Sequence, residues 1–370
     1  MSDLKTKKHE PVIHITKRAD LVWYKAWIIR AVAVLAALIV SAVVIMLLTK
    51  ENPIQIYASM IEGNFGTERR IWVMLKELAI LLCVSLAVTP AFKMRFWNIG
   101  AEGQVLVGAL GSAACMFYLG DSLPLPAMLI LMFIVSVICG IIWGIIPAFF
   151  KAIWNTNETL FTLMMNYVAM QLISFFIMVW VPNGSSVMGV INPQTKSGWL
   201  PEVFGQKYLL SILFVAVTTI ILFIYLKESK QGYEITVVGE SENTARYVGI
   251  NVKKVIIRTM AISGGICGMA GFLLVSGINH TVSANLAGGV GFTAIMVSWL
   301  AKFNPIVMVL TSFIIVFLQI GAGEIATSFR LNQSIADIVT GIILFFIIGC
   351  EFFVRYKINF RTKEKEEKNA

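Results

Sequence analysis

Four polar side chains stand inside otherwise apolar stretches. Asn98, Glu102 and Gln104 occur in Asn98-Ile99-Gly100-Ala101-Glu102-Gly103-Gln104, and Asn166 in Thr162-Leu163-Met164-Met165-Asn166-Tyr167. Carboxamides and a carboxylate supply hydrogen-bond donors and acceptors but no activated nucleophile. The chemistry they fit is hydrogen bonding to a polar solute along a path through a low-dielectric medium. The same groups would serve equally to cap a broken helix or tie two helices together, and spacing leaves both roles open. Enzymatic constellations are missing. There is no G-x-x-x-x-G-K-[ST] phosphate loop, no G-x-S-x-G elbow and no H-E-x-x-H pair. His9 and His14 fall in the N-terminal tail and His280 in a loop, and the five cysteines are dispersed without a C-x-x-C pair. No catalytic residue, metal site or cofactor is expected in this chain.

The elements that must position these residues follow from composition. Of 370 residues, 58% are hydrophobic and 14% charged, against roughly 25% charged in soluble domains, which selects the membrane class. Spans of about 20 apolar residues are read at 26–48, 71–92, 99–119, 127–150, 160–181, 208–226, 255–275, a short 291–300, 305–320 and 335–353. The first is too long for a signal-peptide core and reads as an anchor. The polar connections 49–70 and 182–207 read as loops on one side of the membrane, and the stretch 227–254 as the largest loop on the other.

The net charge of +9 reports sidedness rather than nucleic-acid binding. With the N-terminus inside, basic residues crowd the tail (Lys5, Lys7, Lys8), the loop 227–254 (Lys227, Lys230, Arg246) and the C-terminal end (Arg361, Lys363, Lys365). The expected organisation is a cytoplasmic basic tail over 1–25, a transmembrane domain over 26–354 and a charged cytoplasmic tail over 355–370. The fold class is an all-α polytopic membrane protein of about ten transmembrane helices. Ten spans divide into two inverted five-helix repeats, a transporter architecture with the path at the repeat interface. The glycine-bearing opening of span three, 98–104, and that of span eight, Ala287-Gly288-Gly289-Val290-Gly291-Phe292, hold matching positions in the two halves.

Within the inside loop, Gly239-Glu240-Ser241-Glu242-Asn243-Thr244-Ala245-Arg246-Tyr247-Val248-Gly249 reads as a short helix capped near Glu240 or Ser241 and stopped at Gly249. It suits docking to a partner, or a connector lying on the membrane surface.

Three blocks, Asn98–Gln104, Asn157–Tyr167 and Gly239–Val252, in this order and at these separations, resemble permease subunits of bacterial ABC importers. The nucleoside permeases of the simple-sugar and nucleoside branch match best. Trp97 stands where the family commonly has phenylalanine. The resemblance implies a multi-pass subunit of the bacterial cytoplasmic membrane, its spans surrounded by membrane lipid; the basic tails place both termini in the cytoplasm. It implies pairing with a second, related permease, delivery of a nucleoside by a binding protein or lipoprotein, and drive from a cytoplasmic ATPase that carries the ATP and Mg. It also makes Glu240, Glu242, Asn243, Ala245, Arg246 and Gly249 the ATPase-coupling residues. It assigns no substrate contacts, and Asn98, Glu102, Gln104 and Asn166 are expected to be the substrate-pathway residues from their polarity inside spans. The alternatives are the same architecture importing a simple sugar such as a pentose, and an ion-coupled secondary transporter.

Overall fold

The computed structural model describes residues 13–17, 23–49, 52–120, 122–181 and 188–360. The basic residues at 5–8, the tail 361–370 and the start of the loop 182–207 lie outside them. Thirteen α-helices account for nearly all of the described chain: α1 (Trp23–Thr49), α2 (Pro53–Phe65), α3 (Glu68–Lys93), α4 (Ala101–Leu119), α5 (Leu125–Trp154), α6 (Glu158–Trp180), α7 (Leu209–Glu228), α8 (Lys230–Glu240), α9 (Glu242–Tyr247), α10 (Val252–Phe272), α11 (Val290–Leu300), α12 (Pro305–Ser328) and α13 (Gln333–Arg355). A π-helical segment, Leu273–Asn279, prolongs α10. Seven helices among the described residues are long and apolar enough to cross a membrane, with shorter apolar runs at 31–47, 290–300 and 338–354. Together they coincide with the ten spans read from the sequence.

Two departures concern the connections. The stretch read as the loop 49–70 contains α2, which Asn52 starts by accepting a hydrogen bond from the Ile54 amide at 3.0 Å, with Pro53 at the first helical position, where its missing N–H costs nothing. The inside loop is largely helical as well, because Ser229 caps α8 by accepting from the Gly232 amide at 2.9 Å.

The chain divides into two compact units. The unit made of residues 1–63 and 318–370 packs α1 against α13 and ties α2 to α1 through the Tyr57 hydroxyl, which donates to the Leu38 carbonyl at 2.6 Å. Its ends form a two-stranded antiparallel ribbon, β1 (Ile13–Lys17) with β2 (Tyr356–Phe360), in the register Thr16 to Lys357. The ribbon is a small β addition to a fold read as all-α.

The unit 64–317 is built around α10, which packs on α3, α4 and α5. Across α5 and α10 the backbones touch. A methyl group on Gly140 would collide with the Gly264 carbonyl, and one on Gly268 with the Ser136 carbonyl. The Ser136 hydroxyl lies 2.8 Å from the Gly108 carbonyl and 2.5 Å from that of Gly268, so one hydrogen joins α4, α5 and α10. With no hydrophobic force between helices in lipid, small residues and interhelical hydrogen bonds of this kind are what hold spans together. By contrast α5 and α7 keep most of their surface on the perimeter: Ile130, Ile134, Ile138 and Ile142 form an exposed stripe on α5 at intervals of one helical turn.

Candidate functional site

The start of a helix leaves its first N–H groups without intrahelical partners, and inside a membrane no water replaces them. Both α4 and α11 start in the interior of the unit 64–317, and neither begins with a side-chain cap of its own, since Gly100 and Gly289 occupy the N-cap positions. The caps come from other helices. Asn166 of α6 accepts from the Gly103 amide at 2.8 Å and donates to the Ile99 carbonyl at 2.9 Å, fixing both sides of the first turn of α4. Thr162, one turn earlier on α6, accepts from the Ile99 amide at 3.2 Å. Glu102 of α4 then reaches α11: one carboxylate oxygen accepts from the Gly289 amide at 2.8 Å and the other from the Gly291 amide at 2.7 Å. Gly289 sits at φ +79°, a left-handed conformation that a side-chain-bearing residue would adopt only under strain. A methyl on Gly291 would press on Glu102 itself.

The remaining pair braces the same corner. Asn98 and Gln104 exchange two amide hydrogen bonds, at 3.3 and 3.2 Å, and Asn98 also donates to the Ser263 hydroxyl of α10 at 3.1 Å. All four residues singled out in the sequence are therefore brought together along α4. Their exposures are 0% for Asn98, 6% for Glu102, 1% for Gln104 and 1% for Asn166. Their hydrogen bonds go to backbone, to one another and to Ser263, so what the arrangement does chemically is hold two interrupted helices in register. A carboxylate between two helix N-termini also meets the positive ends of both dipoles. The two glycine-bearing openings matched by position in the sequence are the ones that Glu102 joins.

The second candidate region is the elbow between α8 and α9. Ser241 ends α8 and starts α9, accepting from the Thr244 amide at 3.2 Å. Gly249 closes α9 at φ +83° with open space around it. Glu242 and Arg246 pair one turn apart at 3.4 Å on the exposed face. Glu240 and Asn243 are exposed, while Ala245 is buried beneath the turn. The elbow is anchored to the body by Glu234, whose carboxylate meets the Arg258 guanidinium of α10 at 2.9 Å. Gly239 abuts the Lys93 carbonyl at the end of α3. Tyr247 is 92% exposed, an aromatic ring standing clear of the protein.

A family described as "Branched-chain amino acid transport system / permease component" matches residues 72–348. The chain belongs to this family. Among its relatives is "Guanosine ABC transporter permease protein NupP" of Bacillus subtilis, 28% identical over 334 residues, covering 88% of this chain and 93% of that protein. "Nucleoside ABC transporter permease protein NupB" of Lactococcus lactis is 26% identical, covering 88% and 93%. "Glucose ABC transporter permease protein TsgB13" of Haloferax volcanii is 27% identical, covering 88% of each.

Within this permease, sequence reasoning reached Glu102 but not its partners, because Gly289 and Gly291 lie far along the chain and contribute only backbone. It also passed over Thr162 and Ser263, whose hydroxyls read as ordinary helix residues; the pairing of Thr162 with Asn166, one turn apart on a face aimed at α4, is the signal that was available. On the opposite side of the unit, Trp199 stacks on His280 at 3.8 Å with the rings 5° apart. Burial lowers the His280 imidazole below its ordinary value of 6.5, with the Lys207 charge adding to the effect.

Proposed function

We propose that this permease is the membrane-spanning subunit of an ATP-driven importer that carries nucleosides across the cytoplasmic membrane. The observation that carries the reading is the family match over the span of α3 to α13, joined by relatives whose names specify guanosine and nucleosides. The exposed α8–α9 elbow is the docking element for a cytoplasmic ATPase subunit, where ATP and Mg reside. Glu240, Glu242, Asn243 and Arg246 offer the contacts, and Ala245 and Gly249 shape the turn. Asn98, Glu102, Gln104 and Asn166 serve the substrate path indirectly, by fixing the starts of α4 and α11, the interrupted helices of the bundle. A second permease completes the membrane assembly, and an extracytoplasmic binding protein or lipoprotein delivers the solute. Both termini lie in the cytoplasm. The β1–β2 pairing supports a common side for the two ends of the described chain, as an even number of crossings requires, and the basic residues favour the cytoplasmic one.

The glucose-permease relative favours a second reading, import of a simple sugar by the same machinery. Uptake of labelled guanosine by cells expressing the complete transporter, with excess nucleoside or excess sugar as competitor, separates the two. Competition by nucleosides alone is expected. Competition by sugars alone would replace the nucleoside reading with the sugar one.

A further inference from the structure

The face of α6 turned away from α4 carries polar side chains where a lipid-facing helix should have none. The buried face is Thr162, Asn166, Ala169, Ile173, Ile177 and Trp180. Opposite it runs a second strip at alternating intervals of four and three residues: Leu160, Met164, Tyr167, Gln171, Ser174 and Met178, all exposed. The Ser174 hydroxyl returns to its own helix, donating to the Met170 carbonyl at 3.0 Å. Tyr167, 57% exposed, and Gln171 have no hydrogen-bond partner within the described residues. Because α6 runs from Glu158 to Trp180, its midpoint is Ala169. Tyr167 and Gln171 each lie two residues from it, about 3 Å along the axis at 1.5 Å per residue. A carboxamide and a phenol flanking the middle of the span, one helical turn apart on one face, would meet hydrocarbon if this face met lipid. Ionisable and strongly polar groups at that depth face protein or a hydrated path. Gln319, the other exposed carboxamide well inside a spanning helix among the described residues, has only Ile315, Val316, Ala322 and Gly323 at the neighbouring positions of its helix.

Two occupants fit a polar strip of this kind, a packed helix of a second permease or a moving solute. The composition decides between them. Where this protein packs helices tightly, as at Gly140, Gly264 and Gly268, it uses residues without side chains. Apart from Ser174, the α6 strip instead presents Leu160, Met164, Tyr167, Gln171 and Met178, long or flexible side chains that hold a neighbouring backbone away. Methionine adapts its shape to varied apolar partners, a tyrosine ring offers a stacking face, and a carboxamide can both donate and accept. That is the recognition chemistry of a solute with an aromatic base and a hydroxylated sugar.

We propose that the Tyr167–Gln171 strip of α6 is a contact surface for the transported solute: Gln171 hydrogen-bonds sugar hydroxyls or base edges, and Tyr167 lies against the base. The inference rests on the nucleoside reading for the identity of the solute, while the strip itself follows from exposure and depth. In the assembled transporter, Gln171→Leu should lower the maximal uptake rate of a nucleoside roughly three- to tenfold, the value of one lost hydrogen bond. The 2′-deoxy analogue should lose a different factor. Apparent affinity, set by the binding protein, should stay constant. Gln171→Asn should recover part of the rate, and Tyr167→Leu should penalise nucleosides more than sugars. Co-isolation of all subunits with each variant is the parallel readout. Equal losses for every solute together with loss of co-isolated partner permease would overturn the proposal and make the strip a subunit seam. Unchanged uptake of every solute in both leucine variants would overturn it too. If the unmodified transporter carries a pentose and no nucleoside, the function reading fails by itself, and the strip is judged on the pentose against its deoxy analogue in the same variants.

Discussion

Replacing Glu102 by glutamine keeps the side chain's shape and removes its ability to accept at both oxygens. In the structure those oxygens accept from the Gly289 and Gly291 amides at 2.8 and 2.7 Å, and Glu102 is 6% exposed. A glutamine retains one acceptor and turns an NH₂ group toward the other amide. One buried donor is then left unpaired, at about 1–3 kcal/mol. The interaction of a negative charge with the α11 N-terminus is lost as well, at about 0.3–1 kcal/mol for an ordinary helix end. A local destabilisation of about 2–3 kcal/mol follows, concentrated on the first turn of α11. Hydrogen exchange of the Gly289–Gly291 amides in the detergent-solubilised protein reads this directly. At about 1.4 kcal/mol per factor of ten, exchange should accelerate roughly 30- to 150-fold if opening is local. Amides in the middle of α5 should be unaffected. Unchanged protection at Gly289 and Gly291 in Glu102→Gln would refute the capping argument.

Other expectations follow from the same geometry. Asn166→Leu removes the cap on α4 and should cost about 0.5–2 kcal/mol, seen as faster exchange at Gly103 and a lower apparent melting temperature. Gly264→Val forces apart α5 and α10, whose backbones touch; overpacking of about 1–3 kcal/mol or more should appear as reduced yield of monodisperse protein. Gly249→Val places a β-branched residue at φ +83°, which should uncouple ATP turnover from uptake without loss of membrane insertion, measured in the assembled transporter. For His280, burial lowers the folded-state value below 6.5, so the folded form favours the neutral ring. Its contribution to stability is present above pH 6.5 and is lost as pH falls through 6.5 toward the lower folded value, and Trp199 fluorescence should report the change. A Thr16→Cys, Lys357→Cys pair occupies facing ribbon positions and should form a disulfide on oxidation. In intact cells the reduced pair should resist membrane-impermeant thiol reagents.

The spans were legible because hydropathy over about 20 residues is a local property, and all ten coincide with helices or apolar helical runs. Shorter structure was less so. With 13 residues, α2 is too brief to span, and Gln55 and Glu62 gave its segment the polarity of a loop, although Asn52-Pro53 marked a helix start. The β1–β2 ribbon depends on pairing residues from opposite ends of the chain, information that no window of sequence contains. At the candidate site the types of Glu102, Asn98, Gln104 and Asn166 were informative, since polar groups in apolar runs need partners. Their partners were not, because backbone amides such as those of Gly289 and Gly291 have no residue signature. The capped turn at Ser241 and its stop at Gly249 were readable, as both are set by neighbours within one turn.

ATP-driven import of nucleosides through this permease can be measured in proteoliposomes holding the chain with its partner permease and ATPase. The lumen carries ATP and Mg, and the loaded binding protein is added outside. Uptake of labelled guanosine is expected to require ATP inside and to persist when ionophores dissipate proton and sodium gradients. Uptake that proceeds without ATP and collapses with either gradient would contradict ATP-driven import.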